Sequence, residues 1–157
     1  CEMALLENEV NVIRKTWEPI KSSRESWTRL FSILFQKVPE AQKRFKAFES
    51  VPLSELATNK RFKAHSANVI TLFSGIVEFL DDTETMIEMI ENMATRHYKR
   101  SIPLATFNVL GEAVLEFLNE VNGENFDDEA IAAWTKLYST LVSVVKAEFE
   151  KLDSAKN

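Results

Sequence analysis

Glycine, proline and cysteine are scarce in this chain of 157 residues, which holds three glycines, four prolines and one cysteine. A β-rich or low-complexity protein needs many more turn residues, so this composition favours long helices. Because Cys1 is the only cysteine, an internal disulfide is impossible. Cys1 also stands where a starting methionine would be, which leaves secretion open. Both an intermolecular disulfide and an unpaired thiol fit such a residue.

Positive charge is in deficit as well. The formal net charge is -5 at pH 7 and the sequence pI is about 5.2. Proteins that neutralise phosphates need a basic excess, so nucleic acid is an unsuitable partner. No run of 18 apolar residues occurs, and no segment is expected to span a membrane. With 45% hydrophobic residues, the chain suits one domain over residues 1–157, with flexible ends at 1–8 and 153–157.

Apolar residues recur at helical spacing through most of the chain. They predict an all-α fold of six long helices with one or two short turns. Pro19 is expected to close the first helix, since proline cannot continue the hydrogen-bond ladder. The second helix is expected from about Ser22 to Val38, with Trp27 on its inward face. A one-turn helix should begin at Pro52.

Capping residues set the expected ends of the later helices. Asn59 or Thr58 should cap a long helix that reaches about Leu80. Thr85 to Glu88 has the form of a capping box. The remaining boundaries are expected at Pro103, which opens a helix, at Gly123, which ends it, and at Asp127 or Asp128, where the last helix starts.

The chain contains only two histidines, His65 and His97, and both lie on the apolar faces of their helices. A core histidine that bonds to a backbone carbonyl would explain either residue alone. Zinc would need three or four ligands, and the inward faces offer no carboxylates at ligand spacing. Hydrolytic triads and glycine-rich phosphate loops are also absent. A planar macrocycle with a metal fits better, because it needs one axial nitrogen, an optional second group and flat apolar walls.

Three stretches of the sequence and two tryptophans resemble globins, and the resemblance covers nearly the whole chain. The resemblance lies in the segment from Phe31 through Pro39 and Phe45 to Phe48, in Lys63-Ala64-His65 followed by Val69, in Arg96-His97 through Ile102-Pro103 to Phe107, and in Trp17 and Trp134. The segment from Phe48 to His65, especially Val51-Pro52-Leu53 and the residues from Asn59 to His65, looks most like arthropod and other invertebrate hemoglobins. Trp27 and Ser66 depart from the usual pattern where two helices cross, which implies a wider crossing or a register shift by one residue.

The resemblance implies a globin fold around heme b (iron protoporphyrin IX), with a role for each matching residue. His97 would be the proximal iron ligand. His65 would lie on the distal side, either stabilising a bound gas or binding the iron as sixth ligand. The remaining matches would contact the cofactor: Phe45 flat on the macrocycle, Val69 limiting the space over the iron, Phe31 as rear wall, Ile102 and Phe107 near the proximal exit, and Arg96 and Arg100 paired with propionates.

The function implied is reversible binding of dioxygen or another diatomic gas, for storage or transport, without chemistry done on the ligand. A bis-histidine heme protein with a redox, nitric oxide or sensing role is the alternative, and a side activity such as nitric oxide dioxygenation or peroxidation is compatible with either. A heme-free helical interaction module is a third hypothesis, which leaves two buried histidines unexplained. A homo-oligomer is compatible with all three.

Overall fold

The computed structural model describes residues 5–156, and Cys1 lies outside them. Six long helices carry the fold, as predicted, and between them the described residues form two one-turn α-helices and two 3-10 turns. The long helices are α1 Glu7–Lys21, α2 Arg29–Lys37, α5 Lys60–Glu78, α6 Thr83–Lys99, α7 Leu104–Asn122 and α8 Asp128–Ala155, and the short ones are α3 Pro39–Gln42 and α4 Leu53–Leu56.

The longest helix, α8, packs against α1, α6 and α7. On the other side of the molecule α2 packs on α7, and α5 packs on α1 and α6. Trp17 and Trp134 join α1 to α8 in the core, with ring centroids 5.6 Å apart. The indole of Trp134 donates to Thr16 Oγ1, so its one polar atom is satisfied although the residue is fully buried. No helix of the described residues is both long and apolar enough to cross a bilayer.

Several predicted helix ends are confirmed. Asn59 caps α5, since its side-chain oxygen accepts from the backbone N–H groups of Arg61 and Phe62. Gly123 ends α7 with a φ of 57°, a left-handed conformation that glycine adopts without strain. Asp127 caps α8 by accepting from the N–H of Ala130.

Other boundaries differ from the prediction. Pro19 lies inside α1, which continues to Lys21, because proline removes only its own N–H and the following residues still find acceptors. The next helix does not begin near Ser22. A 3-10 turn, Arg24–Ser26, comes first, and α2 starts at Arg29. Trp27 therefore precedes α2, and its indole donates to the carbonyl of Ile20 at 2.7 Å.

Two more differences concern α6 and α8. The cap of α6 is Asp82, which accepts from the N–H of Thr85, so the predicted capping box starting at Thr85 is wrong. Residues 153–155, predicted as part of a flexible tail, continue α8 as helix. Tyr98 on α6 donates to the carboxylate of Asp153 in this last turn.

Candidate functional site

A cavity of about 550 Å³ lies between the helices on the side of α5 and α6. Both histidines face it, one from each of these helices. Its walls are mainly apolar, which suits a ligand that buries most of its surface. Its lining includes Phe31, Phe45, Phe48, His65, Val69, His97, Arg100, Ile102, Phe107 and Tyr138.

His97 lies in the last turn of α6 with its ring orientation fixed by the helix itself. Its Nδ1 is 2.8 Å from the carbonyl oxygen of Met93, one turn earlier. Because a carbonyl can only accept, Nδ1 carries the proton and Nε2 keeps its lone pair. Phe107 meets the ring edge-on at 5.3 Å between centroids. Burial lowers the pKa of His97, the bond to Met93 opposes this, and the nearby Arg100 and Arg96 lower it further.

The backbone that follows α6 also forms a hydrogen bond with His97, at its carbonyl group. The N–H of Ile102 donates to the carbonyl of His97, and the N–H of Ser101 donates to that of Tyr98. This pair of bonds is the Schellman arrangement, with Ser101 in the left-handed position at a φ of 59°. A serine there is strained by about 1–2 kcal/mol, and the turn delivers Ile102 to the cavity wall.

His65 lies on α5 among aromatic rings. Phe31 and Phe45 contact its ring at 4.6 and 4.7 Å between centroids, and Phe48 lies at 6.0 Å. Its Nε2 is buried, and among the described residues it has no hydrogen-bond partner. Burial lowers the pKa of His65 to about 4, with smaller contributions from His97 in its protonated form and from Arg100. The imidazole is therefore neutral at pH 7, with one polar atom that lacks a partner.

The loop that carries Phe45 is held by a buried glutamine. Gln42 Nε2 donates to the carbonyls of Phe48 and Val51, at 2.9 and 2.8 Å. Phe45 and Phe48 stack on each other at 5.0 Å with their planes 15° apart. Phe45 is half-buried and faces the cavity, whereas Phe48 is 4% exposed and also contacts Phe62 of α5. The loop therefore presents a fixed aromatic face.

Eight of the nine residues predicted from the sequence line this cavity, and Arg96 does not. Arg96 is exposed on the outer side of α6 and does not reach the cavity, whereas Arg100 lines it. At the crossing that the sequence left open, Ser66 is buried and its hydroxyl has no partner among the described residues. Trp27 points to α1 rather than into the crossing.

Sequence reasoning missed two groups of lining residues. Lys43, Arg44 and Lys46 border the cavity, although the sequence signalled only the aromatic residues between them. Tyr138 of α8 also lines the cavity, and no sequence motif pointed to it. Its hydroxyl donates to the carbonyl of Phe107 at 2.6 Å, burial raises its pKa, and its ring separates the cavity from a groove between α7 and α8.

The globin family model matches residues 28–145, about three quarters of the chain. The chain belongs to the globin family. A globin of Drosophila melanogaster has a similar structure, with a TM-score of 0.83 and 28% identity over 91% of this chain and 94% of that one. The hemoglobin of the botfly Gasterophilus intestinalis, at 21% identity and a TM-score of 0.85 over 93% of this chain and 99% of that one, shares the fold.

Curated relatives carry two kinds of name. The anaerobic nitrite reductase SYMA of Casuarina glauca is 28% identical over 95% of this chain and its own full length. A globin of Tritia mutabilis is 22% identical over 83% of this chain and 91% of its own. Family membership confirms the predicted fold, with arthropod proteins among the similar structures, and implies that the chain binds heme and a diatomic gas.

Proposed function

We propose that this globin holds heme b through His97 and binds dioxygen reversibly on the side of His65, for storage or transport. The observation that carries the proposal is the complementary state of the two histidines across one apolar cavity. His97 has its Nδ1 bonded to a carbonyl and its Nε2 lone pair free. His65 has a buried Nε2 without a protein partner among the described residues. When bound, the heme would supply the iron atom to which the gas binds.

The residues present fit that group. The free nitrogen on His97 is the electron-pair donor that iron requires, and the Met93 carbonyl fixes the ring, as is usual for metal-bound histidine. The stacked Phe45 and Phe48 provide a flat apolar face. Arg100, together with Lys43, Arg44 and Lys46 at the cavity border, supplies cations for the two carboxylates of the macrocycle. Arg96 has no such position.

His65 acts on the gas ligand through its unpartnered nitrogen. A neutral imidazole with a proton on Nε2 donates a hydrogen bond to a polar bound gas, and in a dry site that bond is worth more than the usual ~1 kcal/mol. The low pKa keeps the ring neutral through the physiological range. Val69 faces the same cavity and limits its size.

The second candidate is a hexacoordinate state, in which His65 itself occupies the sixth iron position. The orphaned Nε2 favours it, and so does the similarity to the Drosophila melanogaster hemoglobin described as hexa-coordinate, which is 28% identical over 90% of this chain and 93% of that one with a TM-score of 0.82. Such a state suits redox, nitric oxide or sensing roles. The relatives named nitrite reductase make a side activity on nitrite the first to assay.

The absorption spectrum of the deoxygenated ferrous protein tests both candidates. A single broad visible band is expected for an open site, and two sharp bands for the bis-histidine state.

Flash photolysis of the carbon monoxide form of His65→Leu gives the second test. In an open site dioxygen dissociates faster from the variant, as stopped-flow displacement of dioxygen by carbon monoxide measures. In a site closed by His65, carbon monoxide associates faster with the variant, because no bond between His65 and iron has to open first. If that bond has an equilibrium constant of about ten, its loss strengthens carbon monoxide binding by about 1.4 kcal/mol. No change in either rate contradicts the distal assignment of His65.

A further inference from the structure

The charges of this acidic chain are segregated around the cavity. Three segments, residues 41–48, 56–77 and 92–111, contain nine of the nineteen lysines and arginines and none of the 24 acidic residues. The rest of the chain then carries ten cations against 24 acids, a formal charge of -14. We call the nine cations the basic rim, and they are Lys43, Arg44, Lys46, Lys60, Arg61, Lys63, Arg96, Lys99 and Arg100.

The three segments meet at the border of the cavity. Lys43, Arg44, Lys46 and Arg100 line it directly. The first turn of α5, which carries Lys60, Arg61 and Lys63, lies beside the loop 43–48, because Phe62 in that turn contacts Phe48 at 5.3 Å. Lys99 is in the last turn of α6, two residues after His97, whereas Arg96 lies on the outer side of that helix and extends the rim away from the cavity. The same short sequence, Lys-Arg-Phe-Lys-Ala, stands at 43–47 and at 60–64.

The basic rim is exposed and mostly unneutralised. All nine side chains belong to exposed residues. Within the part of the chain that the structure describes, only Lys43 of the nine has a carboxylate within 4 Å, namely that of Glu40 at 3.1 Å. Cations elsewhere more often pair, as Arg29 does with Glu120 and Lys37 with Glu116. Like charges held together without counterions raise the local potential and attract anionic partners.

We propose that the basic rim is the docking surface for an acidic electron-carrier protein that reduces the heme. The proposal rests on heme binding in this cavity. Ferrous iron is needed to bind dioxygen, so a globin whose iron is ferric would have to regain one electron before it could bind the gas. The reduced flavin of such a carrier would give up one electron, and ferric iron held in the cavity would take it to become ferrous, with no covalent bond formed or broken.

The extent and position of the rim favour a protein over other anions. Nine cations on three segments cover more surface than an inorganic anion needs. An extended polyanion, such as an acidic membrane or a nucleic acid, would also meet the strongly negative remainder of the chain. A compact acidic patch on a protein meets the rim alone, and complementary charge of this kind acts mainly on the association rate.

Reduction of the ferric holoprotein by reduced flavodoxin, an acidic flavin protein, tests the proposal by stopped flow. We expect the second-order rate to fall steeply as salt rises, because exposed charges are screened. Lys60→Glu, Arg61→Glu and Lys63→Glu together should slow reduction at least tenfold at low salt, while leaving the cavity residues in place. The new acids stand at the N-terminus of α5, where they favour the helix.

The matched control replaces Lys15, Lys21 and Arg24 with glutamate. These residues are also exposed and lie far from the cavity, and the change in net charge is the same as in the test variant. This control should change the rate by no more than about threefold. Equal slowing by both triple variants would overturn the proposal, since net charge alone would then act. The neutral triple variant Lys60→Gln, Arg61→Gln, Lys63→Gln should have an intermediate reduction rate. A rate that neither this variant nor salt changes would also overturn the proposal.

A structural readout comes from carbodiimide cross-linking of the same two proteins. Cross-links should join flavodoxin carboxylates to Lys43, Lys46, Lys60, Lys63 or Lys99, and a majority elsewhere would contradict the rim. Capture by phosphatidylserine vesicles that exceeds capture by flavodoxin would assign the rim to a lipid surface and overturn the proposal. Failure of the wild-type chain to take up heme would instead overturn the proposed function, and the spectrum reveals that before any carrier is added.

Discussion

The α6 and α5 sides of the cavity each hold one half-buried histidine, and the two histidines differ in how their ring nitrogens are bonded. On α6, the bond from His97 Nδ1 to Met93 and the closure of the helix end on the His97 carbonyl fix the ring from two directions. On α5, only aromatic contacts position His65, and its Nε2 is left without a bond among the described residues. A ring held by hydrogen bonds suits a permanent ligand, and a ring held by packing alone suits an exchangeable one.

The largest expected effect comes from removing each histidine in turn. His97→Ala should nearly abolish stable heme retention, because the fixed nitrogen donor is lost. His65→Ala should retain heme, since the distal ring is not the permanent ligand. Heme content per chain after gel filtration measures both, and equal loss in the two variants would remove the distinction between the two sides.

The aromatic face of the distal side offers a second test. Phe48 is almost fully buried between Phe45 and Phe62, so Phe48→Ala should lower the free energy of unfolding of the apoprotein by about 3–5 kcal/mol. Phe45 is half-buried, so Phe45→Ala should lower it less and instead accelerate heme transfer to an acceptor. Apoprotein melting and heme-transfer rates separate the roles, and the same rank order in both assays would make Phe45 a plain core residue.

The third and smallest effect is the pH dependence of the apoprotein. The folded-state pKa of His65 is about 4, below its ordinary value of 6.5, so the unfolded chain binds the proton more tightly. Stability should therefore be full above pH 6.5 and fall as the pH drops toward 4, by roughly 2–3 kcal/mol from this residue. His97 contributes in the same direction.

Urea unfolding of apoprotein at several pH values measures this fall, with His65→Leu as the comparison. The variant should lose a large part of the pH dependence. At pH 7 it should also be more stable by about 1 kcal/mol, because a buried polar atom without a partner is removed. Identical pH curves for the two proteins would show that His65 is not buried in the apoprotein.

The resemblance to globins predicted most of the cavity. Helical periodicity predicted the all-α fold, since it identifies which face of each helix is apolar. His97, Ile102 and Phe107 all reach the cavity as expected. The two arginines could have been separated by the same rule. Arg100 is three residues from His97 and shares its face, whereas Arg96 is adjacent in sequence and is turned by about 100°.

Features that depend on tertiary contacts were not predictable from the local sequence. Pro19 reads as a helix end, yet the buried Ile20 is packed into the core and α1 continues past the proline. Trp27 reads as a residue of the second helix, but the carbonyl of Ile20 is its hydrogen-bond acceptor. The lining cations Lys43, Arg44 and Lys46 depend on the course of the loop that Gln42 anchors.

The buried pair of Trp17 and Trp134 has a practical consequence for following this protein in solution. Their rings are 5.6 Å apart, and both indole N–H groups are bonded, to Ser74 and Thr16. Heme absorbs over the range in which tryptophan emits, so excitation energy passes from the indoles to the cofactor and the fluorescence is quenched. Emission from these two residues therefore reports the fraction of chains that carry heme, with no added dye.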